Sequence, residues 1–152
     1  MSVHKLLISH RGNLNGQDLS TENSPKQIDL ALKKGFDVEL DLWFHENDYW
    51  IGHDSPQYKI DLSFLLDRKE FLFVHLKSPL DYFDTNEIVT LNWFIHTTEP
   101  YVYSNLGTKW YYPSKDIFND GVNVMPEITI GKDSLKKLTG VSVCSDYIER
   151  LL

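Results

Sequence analysis

At 152 residues, 41% hydrophobic and 24% charged, the chain has a globular composition and enough length for one domain with a sizeable core. A formal charge of −7 and a pI near 5.2 argue against a nucleic-acid binder, which displays a basic face. The lone Cys144 cannot close an intrachain disulfide, no apolar run approaches the roughly 20 residues that span a bilayer, and the short run at residues 6–8 is not a signal peptide, so a cytoplasmic location is the expectation.

Residues 5–9, Lys-Leu-Leu-Ile-Ser, form a nearly continuous apolar run that predicts a buried strand delivering His10 at its end. Residues 12–21 are rich in Asn, Gly, Asp and Ser and predict a loop. Ser24, Pro25 and Gln27 stand at the N-cap, N1 and N3 positions of a capping box. Ile28, Ala31 and Leu32 then recur at helical spacing, and Gly35 stops the helix after about three turns. Over residues 36–44 apolar and acidic residues alternate, which sets Val38, Leu40 and Leu42 on one strand face and Asp37, Glu39 and Asp41 on the other. A short extended piece at residues 49–52 leads to His53 and Asp54, and a brief helix is expected over residues 61–66.

Residues 70–77 predict a third strong strand, with His75 and Lys77 sharing a face. Further on, Asp84 or Thr85 caps a helix running to Leu91, and residues 134–138 predict another. Strands are expected at residues 93–96, 101–103, 122–125 and 141–144, with a loop or hairpin over 105–113. This alternation predicts parallel βα units and an α/β fold, without an internal repeat.

Glu39 and Asp41, one residue apart on a strand, project from the same face roughly 7 Å apart at the backbone, a spacing that suits one shared cation or simply a solvated acidic face. Oxygen ligands favour Mg²⁺ or Ca²⁺, with Mn²⁺ admitted. His10 and His53 titrate near neutrality and suit general acid–base work, although any single histidine serves equally well as a surface or core residue. Arg11 offers a planar fork for phosphate oxygens or a partner for Glu22, and Gly12 allows close ligand approach or a turn. His96 and Glu127 end predicted strands and are further candidates for the same mouth. Asp146 reads as a cap or structural hydrogen-bonding group, while His4, His45 and Cys144 read as structural or exposed.

Taken in order, His10-Arg11-Gly12, Glu22-Asn23-Ser24, Glu39-Leu40-Asp41-Leu42, Asp48 and Gly52-His53-Asp54 resemble the glycerophosphodiester phosphodiesterase family. That family's pattern is His-Arg-Gly, Glu-Asn-Thr, Glu-x-Asp-Val and Asp-x-x-x-Val-x-His-Asp, so Ser24 stands where a Thr is usual. The stretch Cys144-Ser145-Asp146-Tyr147 resembles the family's closing strand. The match is close over residues 5–54, fair at 71–77 and 141–147, and absent between.

The resemblance implies a single domain with a small, reduced TIM-type (β/α) barrel, some helices missing or replaced by loops, and a site at the C-terminal strand ends. It further implies His10 and His53 as the acid/base pair, Arg11 and Lys77 as phosphate contacts, Glu39 and Asp41 as metal ligands with His75 as the third, and Glu22 and Asn23 as supporting residues. The implied activity is metal-dependent hydrolysis of a glycerophosphodiester or related small phosphodiester, as in lipid metabolism. A phospholipase D-like enzyme of the sphingomyelinase D type, releasing a cyclic phosphate, and a non-catalytic ligand-binding remnant are the alternatives. Membrane-surface contact and oligomeric state stay open.

The chain departs from the family pattern in two ways. His75-Leu76-Lys77 stands where the family places an acid before the lysine, which turns the cation preference toward Mn²⁺ or Zn²⁺. At 152 residues the chain is also far short of the roughly 250 of a (β/α)₈ barrel. The missing helices are expected in residues 93–113, whose Tyr, Trp and Thr favour extended structure and whose aromatics suit a core.

Overall fold

The computed structural model describes residues 5–152; His4 lies outside them. Strand β1 (Leu7–His10) buries Ile8, Ser9 and His10, and the chain leaves it through Arg11 and Gly12, both with left-handed backbone (φ 57° and 84°). A Cβ on Gly12 would sit 3.0 Å from Gln27 Cγ, so this turn calls for glycine both by conformation and by space. Helix α1 (Pro25–Lys33) starts as its capping signal predicts, with Ser24 Oγ accepting from the Gln27 N–H at 3.2 Å. The Gln27 side chain does not return to Ser24; it donates to the Gly12 carbonyl at 2.8 Å and ties the helix start to the turn after β1.

Strand β2 (Asp37–His45) is the spine of the molecule. Its even-numbered side chains Val38, Leu40 and Leu42 are buried with Ile28 and Ala31 of α1 in the larger core. One edge carries β1 in parallel and then, further along, β3 (Asp48–Ile51) antiparallel; the other edge carries β5 (Leu72–Leu76) in parallel. Strand β4 (Tyr58–Ile60) extends the β3 hairpin, and α2 (Leu62–Leu66) follows it.

The second half builds the rest of the sheet from short pieces: α3 (Thr85–Ile88), β6 (Asn92–Phe94), β7 (Tyr101–Tyr103), β8 (Lys109–Tyr111), β9 (Val122–Val124), α4 (Glu127–Ile130) and β10 (Ser142–Ser145). Strands β6, β5, β2, β1, β10, β9 and β8 run parallel in that order, and β7 closes the far edge antiparallel to β8. Ile8, Phe73, Phe94, Trp110, Val122, Val124 and Cys144 fill the concave side.

The expected α/β alternation and reduced TIM-type barrel are therefore corrected. The protein is a ten-stranded mixed sheet curled into a half-barrel, with only one α-helix, α1, longer than five residues among the described residues. The physical reason lies in the connections. The helix expected from residue 84 or 85 to Leu91 is one turn in α3, and that expected at 134–138 is a 3-10 segment, Lys132–Lys137. Segments this short leave most strands without a crossover helix. The hairpin β3–β4 adds antiparallel strands that a uniform (β/α) barrel lacks. Among the described residues no helix is long and apolar enough to cross a membrane.

Candidate functional site

Parallel pairing brings the C-terminal ends of the strands to one rim, and the register decides which side chains meet there. His10 is level with Glu39, and Asp41 is level with His75. The odd-numbered residues of β2 and β5 face the concave side, so Glu39, Asp41 and His75 converge and Lys77 follows just beyond. Loop residues 52–54 place His53 on the same rim, where Gly52 is required by close approach: a Cβ there would sit 2.2 Å from the Ser55 carbonyl oxygen. The Trp43 indole donates to the Gly52 carbonyl at 2.6 Å and fixes this loop to β2. His10, Arg11, Glu39, His53, His75 and Lys77 line one cavity of about 280 Å³, whose far wall is Phe94, Trp110 and Tyr112.

Asp41 is the node of the site. It is fully buried, its Oδ2 accepts from Asn23 Nδ2 at 3.0 Å, and its N–H donates to Asn23 Oδ1 at 3.1 Å. Arg11 Nε stands 3.1 Å from the same Oδ2 as an ion pair, and Arg11 Nη1 reaches Glu22 Oε1 at 3.5 Å. Arg11 and Asn23 are both left-handed and joined by an Asn23 N–H bond to the Arg11 carbonyl at 2.8 Å, so backbone strain at two positions serves one contact. Glu22 also accepts from Asn13 and Gln17, at 3.3 and 3.4 Å. The supporting residues Glu22 and Asn23 thus hold Arg11 and Asp41.

One ligand atom each from Glu39, Asp41 and His75 lies within 4.8 Å of the others. His75 Nδ1 is 3.2 Å from Asp41 Oδ1 and 3.9 Å from Glu39 Oε1, without the alignment of a hydrogen bond to either. Glu39 Oε2 and Asp41 Oδ1 are buried with no hydrogen-bond partner. Orphaned carboxylate oxygens facing a ring nitrogen in a buried site are what a bound cation would satisfy. Burial and the neighbouring Asp41 push the Glu39 carboxyl up, against His10, Arg11 and His75, which pull it down. Burial also disfavours the Asp41 carboxylate, but the His75 contact and Arg11 outweigh it and hold its pKa below the usual carboxylate range.

His10 is aimed from behind. Its Nδ1 lies 2.8 Å from Asp146 Oδ1, which also accepts from Asn13 Nδ2 at 2.9 Å, while Nε2 faces Glu39 Oε2 at 3.7 Å. Burial opposes the imidazolium, but the Asp146 hydrogen bond and the Glu39 charge prevail and raise the His10 pKa. Glu127 Oε1 in turn accepts from Ser145 Oγ and the Asp146 N–H at 2.9 and 3.0 Å, bracing the end of β10. His53 is more open, pairs with Asp54 at 2.8 Å, and has its pKa lowered by burial and by Arg11.

Among the other sequence candidates, His96 lines the cavity, yet its contribution to the cluster is its backbone carbonyl, 3.1 Å from His75 Nε2. His45 sits exposed against Glu46, and Cys144 is buried on the concave side with its thiol pKa pushed up by burial. Asp146 makes structural hydrogen bonds, as expected of it, but the sequence carries no signal that one of its partners is His10, 136 residues away.

No family model, curated protein or solved structure matches the chain in comparisons with known proteins, so the reading of this site rests on its own geometry.

Proposed function

We propose that the protein is a metal-dependent phosphodiester hydrolase acting on a glycerophosphodiester or related small phosphodiester. The observation that carries this reading is the convergence of His10 and His53 on one cavity with the buried Glu39–Asp41–His75 cluster and two cationic side chains. With Nδ1 committed to Asp146, His10 exchanges its proton through Nε2. One imidazole takes the proton of a substrate hydroxyl neighbouring the phosphate as its oxygen bonds to phosphorus. The other imidazole delivers a proton to the departing alkoxide as its bond to phosphorus breaks, and water then opens the cyclic phosphate. Arg11 and Lys77 present positive charge to the non-bridging oxygens. Glu39, Asp41 and His75 would hold one divalent cation, which when bound supplies Lewis-acid stabilisation of the phosphoryl charge.

The test is turnover of a panel of aryl and glycerol phosphodiesters by the full chain, with and without a chelator. His10→Ala and His53→Ala are each expected to lower turnover by roughly 10²- to 10⁴-fold with unchanged circular dichroism. Wild-type rates in either variant overturn the assignment. A phosphomonoester product fits full hydrolysis, whereas a stable cyclic phosphate would point to the phospholipase D-like alternative.

A further inference from the structure

A cation site of two carboxylates and one histidine depends on which ring nitrogen the histidine presents. His75 Nε2 lies 3.1 Å from the His96 carbonyl oxygen, an acceptor only, so Nε2 carries the hydrogen. In the neutral ring, the form that can ligate a cation, the lone pair is then on Nδ1, the nitrogen directed at Glu39 and Asp41. Stacking on Phe94, with centroids 4.9 Å apart and planes 14° from parallel, holds the plane of the ring, and turning it over within that plane would give up the bond to the His96 carbonyl. That nitrogen faces Asp41 Oδ1, which is buried and unpartnered, at 3.2 Å and Glu39 Oε1 at 3.9 Å.

Resting on the cation reading above, we infer that His75 Nδ1 is a direct metal ligand, positioned by the His96 carbonyl and Phe94, and that it makes this site select a first-row transition cation over Mg²⁺ and Ca²⁺. An imidazole in place of a third carboxylate removes one negative charge and one hard oxygen. Both changes weaken Mg²⁺ and Ca²⁺, which bind through oxygen, while Mn²⁺ and Zn²⁺ accept the nitrogen. Residues 95–100, following β6, would thereby help to set metal identity through one backbone carbonyl. A second outer contact braces that loop, since His96 Nε2 donates to the Glu99 carbonyl at 2.7 Å.

Transition cations outbind Mg²⁺ at most nitrogen-containing sites, so the diagnostic quantity is the change in preference when the nitrogen is removed. Equilibrium dialysis of the full chain against Mn²⁺, Zn²⁺, Mg²⁺ and Ca²⁺ is expected to give one bound Mn²⁺ or Zn²⁺ per chain. His75→Asp should reduce the Mn²⁺-to-Mg²⁺ preference by about tenfold or more. An unchanged ratio in a folded His75→Asp protein overturns the inference, as does Mg²⁺ or Ca²⁺ binding as tightly as Mn²⁺ to the wild type. If His75→Asp does not fold, electron spin-echo modulation of the Mn²⁺-loaded wild type decides instead. A directly coordinated nitrogen supports the inference, and its absence refutes it. Selective binding without phosphodiester turnover would leave the inference standing and sink the catalytic reading.

Discussion

The two halves of the half-barrel are held together differently. In the first, β2 is nine residues long, paired along both edges, and backed by α1 through a continuous apolar layer. In the second, strands of three or four residues are stitched by side chains. Asn105 accepts from the Trp93 N–H at 2.8 Å and donates to the Leu91 carbonyl at 2.9 Å, and Asn123 bonds both backbone groups of Phe118 at 2.8 Å. The stiff half carries His10, Glu39, Asp41 and His75. The stitched half aims the two imidazoles, His10 through Asp146 and His75 through the His96 carbonyl, while Asn23 holds Asp41 from within the stiff half. The orientation of His10 and His75 thus depends on the half that does not carry them.

That division can be broken most severely at Asp41. Asp41→Ala strands Arg11 and Asn23 in a buried site, and it is expected to cost about 3–5 kcal/mol of stability and to remove phosphodiester turnover. A urea midpoint close to wild type would show that the stiff half does not depend on this node. On the orienting side, Asp146→Asn should cost only about 1–2 kcal/mol, because the amide oxygen still accepts from His10 and Asn13, while kcat falls by roughly 10- to 100-fold as the charge that raises the His10 pKa is lost. Equal losses of stability in the two variants would erase the distinction between the halves.

Asn105→Ala probes the stitching itself. It leaves the Trp93 N–H and Leu91 carbonyl without their partner and should cost about 1–3 kcal/mol, read from denaturant unfolding. Asp37 offers the smallest effect, with a sign fixed by pH. Burial raises its pKa to about 6 from an unfolded value of 3.8, so folding disfavours the carboxylate. The stability penalty is absent below the unfolded value, grows as pH rises to about 6, and is constant above it. Asp37→Asn should therefore stabilise by about 1 kcal/mol at neutral pH, after allowance for solvent screening of this half-buried group, and not at all below about pH 3.5. A gain that persists in acid would contradict the burial origin of the shift.

The same division governs what could be read from the chain. Glu39 and Asp41 were legible because strand parity puts them on one face whatever the strand pairs with, and His75 and Lys77 by the same rule. Ser24 and Pro25 marked the start of α1 because capping is local. Asp146 was not legible as the partner of His10, because their contact depends on β1 pairing with β10 across nearly the whole chain. The His96 carbonyl left no trace in side-chain chemistry. The architecture was over-read for a related reason. Alternating strand and helix signals suggested crossover helices, but segments such as residues 85–88 supply one turn each, too little to cover a strand. The curl of the sheet survives that loss because the concave side is filled by Phe73 and Phe94, each packed against Trp110.

The central claim is that one rim gathers a cation site and two imidazoles. Anomalous diffraction from crystals soaked in Mn²⁺ tests it most directly. The account predicts a single strong peak bonded to an oxygen of Glu39, an oxygen of Asp41 and Nδ1 of His75, with the His10 and His53 rings bordering the same cavity. A peak elsewhere with this cluster vacant, or imidazoles turned away from it, would contradict the account.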